Sequence, residues 1–188
     1  PCAGVTAWNA IFVSSNAIQP GDTVLLLGTG GAGDAICDAL VGAGVKKIFV
    51  TNRSVYPAQD LAARYPDKAQ FIYFGIFPVR RAMAESDLFI NATSLGMAGM
   101  KEFSDLGFLR DAPAGVTVYD LVYNPRQTML LREAEKRGLL NLKTTPDCVP
   151  YLLKEKNVRL FTTHKIYSET ELHARYEIML ENYSKVQV

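Results

Sequence analysis

Residues 23–43 read TVLLLGTGGAGDAICDALVGA. The opening Thr23-Val24-Leu25-Leu26-Leu27 is a short, unbroken apolar run, the pattern of a strand buried on both faces. Asp34 onward carries Ala35, Ile36, Ala39 and Leu40 at helical spacing. Between them stands G-x-G-x-x-G, formed by Gly28, Gly30 and Gly33. That motif is weak alone, but here it joins a strand to a helix, where its mechanism operates. Gly28 permits a tight turn, Gly30 lets backbone approach a pyrophosphate, and Gly33 lets helix and strand pack closely. Gly31 and Ala32 place the first helical N–H groups, and the positive end of the helix dipole, at the phosphates. The competing reading is a glycine-rich turn that holds no ligand.

Outward from this stretch, strand and helix alternate. The pattern predicts strands over residues 23–28, 47–52, 70–74, 87–91 and 117–122, and a sixth over 140–143. It predicts helices over 31–43, 58–65, 79–85 and 127–137, the last ending at Gly138, a C-terminal cap signal. Apolar strands alternating with helices imply an α/β fold, a Rossmann-like, doubly wound parallel sheet covered on both faces. The ends differ. Residues 1–16 read as a helix carrying Trp8, Ile11 and Phe12, followed by a Gln19-Pro20-Gly21-Asp22 turn. Residues 168–188 read as one long helix, with Ser168 as N-cap and Glu171 as its capping-box partner. Leu172, Tyr176, Met179, Leu180 and Tyr183 share an apolar stripe on it. The expected organisation is a lead-in over 1–20, a dinucleotide-binding domain over 21–145 and an appended C-terminal α-helical segment over 146–188.

Bulk properties narrow the partners. The chain has 188 residues, 48% of them hydrophobic and 21% charged, with net charge +1. This is ordinary globular composition, without the basic excess of a nucleic-acid or anionic-membrane binder. No apolar run is long enough to span a bilayer, and no signal peptide is readable. Cys2, Cys37 and Cys148 are odd in number and widely spaced, which suggests neither a disulfide framework nor a zinc site. The expectation is therefore a cytoplasmic protein without a metal. The chain opens on Pro1, which reads as processing or trimming.

Three stretches after strands carry candidate chemistry. Asn52, Arg53 and Ser54 follow the second strand, where an NAD-binding fold places an acidic residue for the ribose diol. A carboxylate there repels a 2′-phosphate, whereas Arg53 pairs with it, so the reading is NADP over NAD. Asn91-Ala92-Thr93-Ser94-Leu95-Gly96-Met97 follows the fourth strand, and its small and hydroxyl residues suit a loop lying along a dinucleotide. Asn91, Thr93 and Met97 are its candidate contacts. DLVYNPRQT, residues 120–128, follows the fifth, with Tyr123 either facing a substrate or standing at the rim. No general acid or base is evident. His164 and His173 sit in the C-terminal segment without metal-ligand spacing, so no catalytic residue is assigned.

Four motifs in order resemble shikimate dehydrogenase and its quinate relatives: GTGGAGDAICDAL at 28–40, TNRS at 51–54, DLFINATSLGM at 87–97 and DLVYNPRQTMLLREAEKRG at 120–138. The resemblance implies an NADP-binding domain over about residues 22–143. Gly28, Gly30, Gly31 and Ala32 would line the pyrophosphate, Asn52 and Arg53 would hold the adenosine phosphate, and Tyr123 would reach toward shikimate. The family's catalytic lysine and aspartate belong to an N-terminal substrate domain that is not readable here, and Thr144-Thr145-Pro146-Asp147-Cys148 departs from its C-terminal glycine–glutamine segment. PCAGVTAWNAIF and IQPGDTVLLLGTGG, within 1–31, resemble zinc-type medium-chain dehydrogenases. Residues 147–188, with LFTTHKIYSETELHARYEIMLENYSK, resemble the C-terminal helical region of type III glutamine synthetase. The economical reading is an engineered chimera, three natural fragments joined at secondary-structure boundaries; the alternative is a divergent natural enzyme. The expected function is NADP binding without native catalysis, by a monomer or a homodimer joined through the C-terminal helix. The other readings are an NADP-dependent shikimate or quinate dehydrogenase fragment and a non-enzymatic interaction module.

Overall fold

In the computed structural model the described residues are 18–143, Tyr123 and Arg126 excepted, and side chains are described through residue 139. The chain divides into two units, 1–144 and 145–188, and every described residue lies in the first. The helices expected over 1–16 and 168–188 fall outside the described residues, as do Cys2, Cys148, His164 and His173.

Six parallel strands form one sheet: β1 Thr23–Leu27, β2 Lys47–Thr51, β3 Ala69–Phe71, β4 Leu88–Asn91, β5 Thr117–Asp120 and β6 Leu140–Lys143. Their spatial order is β3-β2-β1-β4-β5-β6. The order reverses between β1 and β4, and ligands of doubly wound sheets bind in the crevice above that reversal. Four helices connect the strands: α1 Gly31–Gly42, α2 Val55–Ala63, α3 Ile76–Ala84 and α4 Met129–Lys136. A 3₁₀ turn, Gly107–Asp111, stands where the β4–β5 crossover would carry a helix.

The unbroken apolar run of β1 serves two cores at once. Val24 and Leu26 face Ile36 and Leu40 of α1 and Ala58 and Leu61 of α2. Leu25 and Leu27 face Val79 and Met83 of α3, Phe108 and Leu109 of the 3₁₀ turn, and Leu130 and Leu131 of α4. Side chains at successive positions point to opposite faces, so only a strand apolar at every position seals both layers. Each fully buried Leu or Val contributes about 1.5–3 kcal/mol of transfer free energy. Val24, Leu25 and Leu26 are each completely covered.

Turn chemistry closes the elements. Asp22 N donates to Gln19 O at 3.1 Å, and Gly21 takes φ +98° behind Pro20. That is the geometry of a type II turn, with proline second and glycine third. At the far end, Gly138 takes φ +68° and the amides of Gly138 and Leu139 return to Glu135 O and Ala134 O. This ends α4 at the residue its sequence marks. Two helices start earlier than their sequence suggested. α2 begins at Val55 and α3 at Ile76, which places Pro57 and Pro78 inside the first turns.

A dinucleotide-type crevice at the carboxyl edge

Five loops leave the carboxyl ends of β1 to β5, and the site is built from four of them. The β1 loop is shaped by backbone alone. Gly28 takes φ +111°, and its N–H donates to Thr51 O of β2 at 2.9 Å. A Cβ on Gly28 would sit 2.8 Å from Ala92 O, so glycine is required both for conformation and for the approach of the β4 loop. A Cβ on Gly33 would collide with the Gly28 carbonyl. Gly33 therefore fixes how closely α1 seats on the turn.

Gly30 and Gly31 are different. A Cβ at either meets nothing within 4 Å. Gly30 is the N-cap of α1, extended at φ −69°, ψ 179°, and no side chain caps the helix. Glycine is needed there neither for strain nor for internal packing. Both glycines are exposed at the start of a 12-residue helix, at the point of strand reversal. Free amides and a positive dipole end fit a phosphate group. Asp34, in the first turn of α1, forms an ion pair with Arg64 beyond the C-terminus of α2.

The β2 loop stands next to it. Asn52 Nδ2 donates to Ser54 O at 3.2 Å, which curls the loop over its own backbone. Ser54 is the N-cap of α2, but its hydroxyl caps no amide. Arg53 is exposed and has no ion-pair partner among the described residues. Thr51, fully buried at the end of β2, has the one buried side-chain oxygen without a hydrogen-bond partner among the described residues. These groups fit a phosphorylated dinucleotide: free amides for the pyrophosphate, a free guanidinium for a further phosphate, and no carboxylate on the β2 loop to repel it.

The β4 and β5 loops are held by side chains. Asn91 and Asp120 are register partners at the ends of β4 and β5, and both are fully buried. Asn91 Nδ2 donates to Asp120 Oδ1 at 2.9 Å and to Leu95 O at 3.2 Å. Asn91 Oδ1 accepts from Thr93 N at 3.1 Å and Thr93 Oγ1 at 2.7 Å. Thr93 Oγ1 in turn accepts from Leu95 N at 3.1 Å. Asp120 also accepts from Thr128 Oγ1 at 2.6 Å and Val122 N at 3.1 Å. Burial pushes the Asp120 carboxyl above the ordinary carboxylate range, against the pull of its three donors.

Of the residues singled out in the sequence, Gly28 and Gly30 stand on the β1 loop, Gly31, Ala32 and Gly33 in the first turn of α1, Asn52, Arg53 and Ser54 on the β2 loop, Asn91 at the end of β4, and Thr93 and Met97 on the loop after it. The Asn91 amide is spent on the loop itself, and Met97 is half-buried. Tyr123 lies outside the described residues. Asp120 and Thr128 were not singled out; the signal was a polar residue closing an apolar strand and a threonine opening a helix. Cys37 is buried in α1, and burial pushes its thiol up to about 12, so it is a packing group without thiolate character. Among the described residues, no three His, Cys, Asp or Glu side chains gather as metal ligands, and no helix is long and apolar enough to cross a membrane.

Known proteins share this fold. Residues 14–102 match the shikimate / quinate 5-dehydrogenase family. The chain carries a Rossmann-like domain similar to that of shikimate dehydrogenases. The NADP(+) shikimate dehydrogenase of Alkaliphilus oremlandii is 36% identical over 121 residues, 62% of this chain and 42% of that one. Shikimate 5-dehydrogenase of Listeria monocytogenes, solved with shikimate and NAD, superposes with TM-score 0.67 at 29% identity, covering 75% of this chain and 51% of that one. The chain thus spans about half the length, or less, of these relatives. A second family, the glutamine synthetase C-terminal domain, matches residues 128–188. The Butyrivibrio fibrisolvens glutamine synthetase is 54% identical over 55 residues, 29% of this chain and 8% of that one. The second match opens at Thr128, the N-cap of α4, ahead of the Asp147 boundary read from the sequence.

Proposed function

We propose that residues 21–145 bind NADP(H) across the crevice above β1 and β4, as the cofactor half of a shikimate dehydrogenase-type enzyme. The observation that carries this reading is the empty space over Gly30 and Gly31 at an uncapped helix N-terminus beside an unpaired arginine. The pyrophosphate would lie on the α1 amides. The 2′-phosphate would lie against Arg53, with Asn52 and Ser54 beside it. Thr93 and Met97 would face the nicotinamide half, and Tyr123 a substrate. The bound cofactor supplies the hydride chemistry; the described residues bind and orient it.

Hydride transfer also needs a placed substrate and a group to move the hydroxyl proton. The resemblance assigns both to a substrate domain outside the matched stretch, so these 188 residues alone are expected to bind without turning shikimate over. Two family matches on separate stretches of one chain support a fusion of parts.

Fluorescence titration of NADPH and NADH, with shikimate turnover in parallel, tests the reading. NADPH binding without turnover is expected. Replacing Arg53 with Ala should weaken NADPH on the order of ten-fold and leave NADH within two-fold, the size of a charge-assisted hydrogen bond to phosphate at an exposed site. Equal losses for both nucleotides would remove the 2′-phosphate role from Arg53. If neither nucleotide binds the intact chain, the proposal fails.

A further inference from the structure

The order β2-β1-β4-β5 fixes how a dinucleotide must lie, once the proposed function is accepted. With the adenosine phosphate at Arg53 and the pyrophosphate on α1, the other half of the molecule extends over β4 and β5. The wall it meets there consists of two loops from two strands. They are joined at three points. Asn91 Nδ2 donates to Asp120 Oδ1 at 2.9 Å, Leu121 N donates to Asn91 O at 3.1 Å, and Ala98 N donates to Asn124 O at 2.8 Å. Gly96 lies close beside Thr128, since a Cβ on it would meet the Thr128 Cβ at 3.5 Å.

Asp120 is the hub of this assembly. One of its oxygens takes the Asn91 amide and the Val122 N–H, and the other takes the Thr128 hydroxyl. Thr128 Oγ1 also accepts from Leu131 N at 3.3 Å, so its proton is committed to Asp120. All three partners are donors, and a carboxylate satisfies all three where an amide satisfies two. The charge sits at the N-terminus of α4, where the helix dipole favours it. Glu102 opposes it from the β4 side.

We propose that Asp120 is a positioning residue that locks the 91–98 stretch to Leu121, Val122, Asn124 and Thr128 as one rigid wall of the crevice, so that the nicotinamide half of a dinucleotide meets a surface already in place. This rests on the proposed function. It assigns to a buried carboxylate that touches no ligand the task of coupling the cofactor loop to the segment whose sequence includes Tyr123.

The test uses the full chain with Thr128→Val, which keeps the shape and removes the hydroxyl, Thr128→Ser, which keeps the hydroxyl, and Asp120→Asn, which leaves the cap on Leu131 intact. Each is titrated with NADPH and with 2′,5′-ADP, which carries the adenosine phosphates and no nicotinamide. Amide hydrogen exchange is followed at Leu95, Ala98 and Leu121, with Leu25 and Leu26 of β1 as internal references. For Thr128→Val and Asp120→Asn, NADPH should weaken roughly ten-fold, the loss of one buried charge-assisted hydrogen bond. Binding of 2′,5′-ADP should stay within two-fold. Exchange should quicken at the loop amides and not at Leu25 or Leu26, and Thr128→Ser should recover both readouts.

Equal weakening of NADPH and 2′,5′-ADP would mean general loosening and would overturn the proposal. So would unchanged exchange at Ala98. If the wild-type chain binds neither nucleotide, the proposed function falls, and the exchange data alone decide whether Asp120 couples the loops.

Discussion

Over β1 and β2 the crevice is lined by bare backbone and unspent polar groups. Over β4 and β5 it is lined by side chains that consume one another's hydrogen bonds. The first side has an uncapped helix N-terminus, a Ser54 hydroxyl that caps nothing, an Arg53 without an ion pair and a buried Thr51 oxygen without a partner among the described residues. The second side has Asn91, Asp120, Thr93 and Thr128 closed into a network. Buried polar groups are ordinarily satisfied, and an orphan costs about 1–3 kcal/mol. Among the described residues on the first side, Thr51 alone is such a buried orphan; Gly30, Gly31, Arg53 and Ser54 are exposed, so water meets them and a ligand can replace that water. Satisfied groups mark where the protein holds its own shape.

Glycine substitutions break this comparison most sharply. Gly33→Ala drives a methyl into the Gly28 carbonyl, and backbone must move. We expect a melting temperature lower by about 5–10 °C, the order of 2–3 kcal/mol of overpacking in a domain of this size. Gly30→Ala adds the same methyl to open space at an ordinary φ of −69°. Its melting temperature should fall by only about 2–4 °C, because alanine at an N-cap costs roughly 0.5–1 kcal/mol relative to glycine and meets no clash. NADPH affinity should nevertheless fall more than ten-fold if the pyrophosphate lies where it is proposed to, since the methyl would then stand in its way. Wild-type affinity in Gly30→Ala would show that no phosphate sits there.

Thr51→Val sharpens the same contrast at smaller amplitude. Valine keeps the volume and discards the hydroxyl that nothing satisfies. Urea denaturation should show a gain of about 1 kcal/mol, the low end of what an orphan group costs. A loss of similar size would mean that the hydroxyl has a partner in solution, and the first side would no longer be the unsatisfied one.

Much of the fold was legible because β1, β2, β4 and β5 each centre on an unbroken apolar run (Val24–Leu27, Ile48–Val50, Leu88–Ile90 and Val118–Tyr119), and a parallel sheet buried on both faces demands that pattern. Helix starts were less legible, for a specific reason. The expected starts at 58 and 79 each fall one residue after a proline, yet Pro57 and Pro78 stand in first turns, where backbone N–H groups have no intrahelical acceptor to lose. The 3₁₀ turn Gly107–Asp111 escaped notice because five residues are too few for helical periodicity to register. At the site, the glycine turn was readable because the conformation it demands is local to one loop, with Gly28 at φ +111°. The Asn91–Asp120 pair was not: it joins residues 29 apart, and only the β4–β5 register brings them together.

The smallest effect tests whether interactions beyond the crevice on the β4–β5 side act on stability alone. Arg80 of α3 and Asp111 of the 3₁₀ turn form an ion pair, with Arg80 Nη2 donating to Asp111 Oδ1 at 3.1 Å and Nε to the other oxygen. Arg80 holds the Asp111 carboxyl below the ordinary carboxylate range. A carboxyl whose native value is lowered stabilises the fold above its unfolded value and loses that contribution as pH falls through the native one. Wild type should therefore exceed Asp111→Asn in denaturation midpoint by a small, constant margin at neutral pH. The margin should shrink once the pH drops below 3.8, the ordinary value for the group, and vanish when the native carboxyl is protonated. High salt should narrow it at neutral pH, since both side chains are about one-third exposed. NADPH affinity should be the same in both proteins, because the pair lies outside the four loops of the crevice. A margin that widens on acidification would contradict the sign of the Asp111 shift, and a change in NADPH affinity would break the division between the two sides.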